Sequence, residues 1–199
     1  MGRGLEDIAG ENRRLCPPEL FTVGHGTRSV PGLAAVVTDA GLARLVDVRR
    51  FPGSRRHPHV SRAGLERDLP PLGIAYEWCE ALGGRRNRVA GSRHSAWRND
   101  AFAGYADHMD SEEFRTALDD VLGRLPLAVM CAETLWWRCH RRLIADAATL
   151  AGIEVVHLLD VGKSQPHALH PDVRSDGEGR PVYDGGQPHL GTAEPDLAG

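Results

Sequence analysis

Short apolar runs, punctuated by glycine, proline and charge, dominate the chain from Leu20 to Leu158. Leu20-Phe-Thr-Val-Gly24 predicts a buried strand that ends in the turn Gly24-His-Gly-Thr27, because an apolar run stopped by glycine reads as strand then turn. Helical spacing follows at Leu33, Val36, Val37 and Ala40, with Thr27 or Ser29 as N-cap and Gly41 as the stop. Leu45-Val-Asp-Val48 predicts a second strand, and Ser61 opens a short helix that Pro70 and Pro71 end. Ile74 to Trp78 alternates like a third strand, and residues 80–99 form a long Gly/Arg/His loop. Helices are predicted over about 100–109 and 111–123, the second opened by Ser111 with Glu112 and Glu113 in its first turn. Leu127-Ala-Val-Met130 predicts a fourth strand, residues 137–150 a helix, and Ile153 to Leu158 a fifth strand.

Strands alternating with helices imply a three-layer, Rossmann-like α/β domain: a mostly parallel sheet of about five strands with helices on both faces. The pattern places it over residues 19–162. A loose arm over 1–18 precedes it. The tail over 163–199 is rich in Gly, Pro, His and Asp and is expected to be extended or partly disordered, with a short hairpin around Arg180 to Tyr183. At 199 residues, 41% apolar and 26% charged, the chain can bury a core. It has no apolar run long enough for a membrane span and no basic-then-apolar leader. A cytoplasmic setting is therefore expected, with no membrane partner and with Cys16, Cys79, Cys131 and Cys139 reduced.

The net charge of −3 argues against a general polyanion binder. Its distribution changes that picture locally: between Arg44 and Arg98, twelve arginines face five acids. Every basic residue except Lys163 is arginine, so the bias belongs to the whole chain. What carries weight is that the excess lies largely in loops.

Ligands of open parallel sheets bind beyond the carboxyl ends of the strands. That rule nominates His25, Asp47 with Arg49, Glu77 with Trp78, and Cys131 with Glu133 as residues that converge on one edge. Gly24-His-Gly-Thr-Arg28 can offer backbone N–H groups, Thr27 and Arg28 to an anion, or be only a tight turn. Asp47 and Arg49 share a strand face, either as a structural ion pair or as a carboxylate held ionised to orient a substrate. Ser54 and Arg55 sit in an outward turn whose guanidinium suits phosphate or carboxylate.

The densest chemistry is Cys131-Ala-Glu-Thr-Leu-Trp-Trp-Arg-Cys-His-Arg141. Here Glu133 could move protons from a partly apolar pocket. Cys139, beside His140 and Arg141, could be an activated thiol. Trp136 or Trp137 could stack on a base or belong to the core. As a zinc site the spacing is poor, with no CxxC and no second ligand pair, so neither metal nor cofactor is expected. The loop with Gly83-Gly-Arg-Arg86, Arg88, Arg93-His94 and Trp97-Arg98 interleaves cations with an aromatic, as a strand-binding groove or a solvated loop. His157 reads as a structural histidine.

Taken together, Thr22-Val-Gly-His-Gly-Thr-Arg28, Asp47-Val-Arg-Arg-Phe-Pro-Gly-Ser-Arg55, Leu82-Gly-Gly84, Phe102 to Met109, Cys131-Ala-Glu133 and Cys139-His-Arg141 resemble the family catalogued as domain of unknown function 488 (DUF488). The resemblance spans about residues 20–175. It implies an α/β domain, a cytoplasmic bacterial or archaeal setting and a site built from these motifs, and it names no substrate. Gly26 stands where the resemblance leads one to expect a small hydroxyl residue. A looser likeness to rhodanese domains lies in the Asp-Val-Arg strand and the Cys-bearing loop, which here lacks a compact thiol cradle.

The reading that follows is an enzyme acting on a phosphate-bearing substrate, a nucleotide or nucleic acid, by a reaction such as N-glycosidic hydrolysis in repair. Glu133, His140, Cys139 and Asp47 would carry the chemistry. His25, Thr27, Arg28, Arg49, Ser54, Arg55, Trp136, Trp137 and Arg141 would bind. Two alternatives stand beside it: a thiol-based sulfur-transfer or redox enzyme using Cys131 and Cys139, and a non-catalytic nucleic-acid-binding module.

Overall fold

The computed structural model of the chain describes residues 19–53 and 58–186. Ser54 and Arg55, the arm over 1–18 and the end of the tail from 187 lie outside the described residues. Five parallel strands, β1 (Glu19–Gly24), β2 (Arg44–Asp47), β3 (Ala75–Trp78), β4 (Leu127–Cys131) and β5 (Glu154–Asp160), form the sheet. A sixth strand, β6 (Lys163–Pro166), adds antiparallel to β5, giving the order β3-β2-β4-β1-β5-β6. Helices α1 (Val30–Asp39) and α2 (Arg62–Asp68) cover one face. Helices α3 (Asp100–Met109), α4 (Glu112–Leu122) and α5 (Arg141–Leu150) cover the other. The fold is thus a three-layer α/β sandwich of Rossmann type.

Covering on both faces explains the predominantly apolar strands. In β1, Leu20 packs toward α3, α4 and α5 and Val23 toward α1 and α2. The helix starts follow hydroxyl and amide caps: Ser29, Ser61, Asn99 and Ser111 each accept from a backbone N–H of the first turn. The helix expected over 137–150 is instead split. A 3-10 turn covers Trp136–Arg138, Cys139 is extended, and α5 begins at Arg141. That break aims the Cys139 sulfur back toward the strand ends.

Beyond residue 162 the described chain continues as β6 and a two-stranded ribbon, β7 (Val173–Ser175) and β8 (Pro181–Tyr183). Val182 and Tyr183 are fully buried, and Trp97 packs against Phe102, His170 and Tyr183. Composition hid this because a few anchors, not a periodic face, hold the segment. The principal anchor is Asp146, which accepts from His167 Nε2, the His170 N–H and the Tyr183 hydroxyl at 2.9 Å each.

Asp146 also fixes the direction of a buried chain. Because the carboxylate accepts, His167 carries a proton on Nε2; where that is its only ring proton, Nδ1 accepts from His157 Nε2 at 3.0 Å. His157 Nδ1 then accepts from the Thr22 hydroxyl at 2.7 Å, and the Arg141 Nη1–H reaches the same Thr22 oxygen at 3.4 Å. His157 is pushed down to about 3, first by burial and then by His167 and Arg141. The unfolded chain takes up this proton near pH 6.5, whereas the folded chain resists it until about 3. Its contribution to stability is therefore complete above about pH 6.5 and is lost on acidification by about 1.4 kcal/mol per pH unit. His157→Gln should flatten the pH dependence of unfolding free energy between about pH 6 and 4 by that slope. A variant with the wild-type slope would contradict this assignment.

Candidate functional site

The carboxyl ends of β1, β4 and β2 stay paired past the strands proper. His25 N donates to Cys131 O at 2.9 Å, Gly26 N to Ala132 O at 3.0 Å and Val48 N to Met130 O at 2.9 Å. A Cβ at Gly24 would collide with the Glu133 carbonyl, so glycine is what lets the Glu133 loop lie this close. Gly26 has φ +52° and its Cβ position is taken by the Thr134 hydroxyl, which accounts for the missing hydroxyl residue there.

Over this edge lies a cavity of about 380 Å³. Its chemistry comes from Arg49, Cys131, Glu133, Cys139 and His140, with Arg50, Arg85 and Arg138 as further cations and Phe51 and Phe102 as aromatic walls. Among the described residues Arg50, Arg85 and Arg138 make no ion pair, and Glu133 is the only carboxylate in the lining. The surplus of guanidinium suits an anion.

His140 orients the thiols. Its Nε2 lies 2.9 Å from the Val48 carbonyl, which can only accept, so Nε2 holds a proton. Nδ1 consequently faces both sulfurs, Cys139 Sγ at 3.6 Å and Cys131 Sγ at 3.9 Å. Gly84 packs flat on the ring: a Cβ there would sit 2.8 Å from Nδ1. Burial disfavours the Cys139 thiolate, but the Cys131 hydrogen bond, His140 and Arg141 outweigh it and hold that thiol well below its usual range. Cys131 is pushed up, first by its bond with Cys139 and then by burial.

Several nominated residues serve as scaffold for this cavity. Asp47 is fully buried and grips Arg49 through Nε at 2.8 Å and Nη2 at 2.5 Å, while also accepting from the Tyr76 hydroxyl at 2.7 Å. Burial and then Asp47 push the Tyr76 phenol up, so it remains a donor. Arg49 Nη1 donates to His25 Nε2 at 3.0 Å, and His25 Nδ1 donates to Gly26 O at 2.9 Å. Arg141, buried, donates to the Glu133 and Thr134 carbonyls and so shapes the Glu133 loop. Arg28 clamps the ends of β1 and β5 through the Gly24 and Leu159 carbonyls, and Thr27 is exposed on that turn; neither lines the cavity.

Trp136 is buried and stacked on His157 at 4.0 Å, with its N–H on Gln165. Its burial leaves little of the ring open to a base, whereas Trp137 is exposed. In the 80–99 loop, Gly84 and Arg85 reach the cavity. Arg86 and Arg93 are tied to carbonyls or carboxylates, and Trp97 is core. Arg50, Phe51, Asn99, Phe102 and Arg138 line the cavity but were not singled out as site residues by the sequence. Only the tertiary fold brings Asn99, Phe102 and Arg138, which are helix-start and turn residues, to the strand ends.

The fold and this edge define an α/β protein with a cationic, thiol-bearing cavity at its strand ends. The sequence model of the family described as Domain of unknown function DUF488 matches residues 32–148, and the chain belongs to that family. The match contains Cys131, Glu133, Cys139, His140 and Arg141 but not β1. Comparison with curated proteins and with solved structures gave no match. Among the described residues no helix is long and apolar enough to cross a membrane.

Proposed function

We propose that the chain is an enzyme acting on a phosphate-bearing substrate, a nucleotide or a nucleic-acid segment, held in the strand-end cavity. The carrying observation is the grouping of Arg50, Arg85 and Arg138, none in an ion pair with a described residue, around the single carboxylate Glu133. Guanidinium forks would take the phosphate. Phe51, 62% exposed in the lining, offers the ring for a base. Glu133 would transfer the proton, and cleavage of an N-glycosidic bond is the reaction class this combination suits. Arg50→Ala with Arg138→Ala should weaken binding of a nucleoside monophosphate or a short single strand at least about 10-fold, since hydrogen bonds to charged groups contribute about 1.5–3 kcal/mol each. Binding should also fall as salt rises. No binding at low salt would remove this reading. Glu133→Gln should abolish turnover with the fold intact.

A second reading, thiol transfer or redox chemistry, is favoured by one observation: His140 Nδ1 faces both Cys131 and Cys139. In that case Cys139→Ser abolishes turnover and Glu133→Gln spares it.

A further inference from the structure

Cys131 closes β4, Cys139 follows the 3-10 turn, and His140 is the next residue, leading into α5. The three donor atoms, Cys131 Sγ, Cys139 Sγ and His140 Nδ1, all lie within 4.8 Å of one another. A tetrahedral zinc ion with Zn–S of about 2.3 Å and Zn–N of about 2.0 Å sets sulfur and nitrogen roughly 3.6 Å apart. The two sulfur-to-nitrogen distances here are 3.6 and 3.9 Å.

We infer that Cys131, Cys139 and His140 form a site for a zinc-class divalent ion, with three protein donors and a fourth position facing the strand-end cavity. The hydrogen bonding of the ring is what a ligand histidine needs. Its other nitrogen donates to the Val48 carbonyl, which fixes the tautomer and presents the Nδ1 lone pair to the ion. Two thiolates and an imidazole select a borderline-soft ion over magnesium or calcium, which require oxygen donors. All three donors line the cavity, and a three-ligand site with an open position is the arrangement of catalytic rather than structural zinc. Gly84 leaves room beside Nδ1 where any side chain would crowd it. The second histidine-rich cluster of the described chain does not compete. The ring nitrogens of His157 and His167 are all engaged in the hydrogen-bonded chain from Thr22 to Asp146.

The inference stands apart from the identity of the substrate and is tested on the full chain. Protein purified with reductant and stripped by chelator is titrated with zinc and analysed for bound metal, and cobalt(II) serves as the spectroscopic probe. The expected result is one equivalent per chain and a thiolate-to-cobalt charge-transfer band. Cys131→Ser, Cys139→Ser and His140→Ala should each weaken zinc binding by about 100-fold or more, because loss of outer partners alone costs 10–100-fold. Glu133→Gln should bind zinc as the wild type does.

Iodoacetamide labelling read by mass spectrometry gives a readout on the unsubstituted protein. Zinc should shield Cys131 and Cys139 while Cys79 labels at an unchanged rate. Uptake well below one equivalent, full zinc binding by the three ligand variants, or labelling of both cysteines unaffected by zinc would each overturn the site. Failure to bind nucleotides would leave the metal result standing, so the two proposals fail separately.

Discussion

Replacing Asp146 by alanine is expected to remove about 4 kcal/mol from the stability of the fold. Its carboxylate is fully buried and serves three donors, the His167 ring, the His170 N–H and the Tyr183 hydroxyl. Truncation leaves all three, the Tyr183 hydroxyl fully buried and the other two at least partly so, without this acceptor. Each such group costs about 1–3 kcal/mol, and partial relaxation returns some of that sum. The loss is large against the roughly 5–15 kcal/mol that holds a domain together. Asp146→Asn keeps an acceptor oxygen but turns an N–H toward a donor, so it should fall between alanine and wild type. Urea unfolding provides the measurement. A change of less than about 1 kcal/mol for Asp146→Ala would mean that residues 163–186 are held by something other than this carboxylate. Limited proteolysis should find the same segment cleaved first in the variant.

Asp47→Ala should cost about 3–5 kcal/mol, by a different route. Arg49 is 7% exposed, and Asp47 takes its Nε, its Nη2 and its backbone N–H. Removing the carboxylate strands a buried cation, which is far more harmful than removing a buried pair. The double variant Asp47→Ala with Arg49→Met should therefore recover at least half of the lost stability. If the double variant is as unstable as the single one, the damage comes from lost packing or from Tyr76, and the buried charge is not the cause. The same cycle reports on the cavity. Asp47 and His25 together aim Arg49 at it, so the double variant separates a role in binding from a role in folding.

The sheet was legible because strands covered on both faces must be mostly apolar, and Leu20–Val23, Leu45–Val48 and Leu127–Met130 are so, with Thr22 and Asp47 as the polar exceptions. The convergence of His25, Asp47, Arg49, Cys131 and Glu133 also followed, since parallel strands bring their carboxyl ends to one side. Glu77, by contrast, is taken by Arg124 and Trp78 by the Arg49 carbonyl, and neither lines the cavity. The role of each residue there was not legible. Trp136 is spent on His157, and Arg141 on the Glu133 carbonyl. Both are tertiary partnerships that spacing along the chain does not encode. Cys131 and Cys139 escape the usual metal-ligand spacing because one ends a strand and the other follows a turn that doubles back. A CxxC search assumes one knuckle supplies both. After 162 the short hairpin around Arg180 to Tyr183 was legible and is the β7–β8 ribbon. Strand β6 and the packing of this segment were missed because a few buried anchors such as Tyr183, rather than an apolar stripe, secure it.

Strand β1 is first in the described chain yet lies inside the sheet, between β4 and β5, with Leu20 opposite both Leu127 and Val155. Synthesis proceeds at about 5–20 residues per second, so its nearer partner emerges roughly 5–20 s after it does. Throughout that interval an apolar strand with two unpaired edges is presented to solvent or to whatever shields it. Pairings between segments so distant in sequence also form slowly. The nascent chain is thus most exposed to misassociation at the segment that later supports His25, and a chaperone would find its target there.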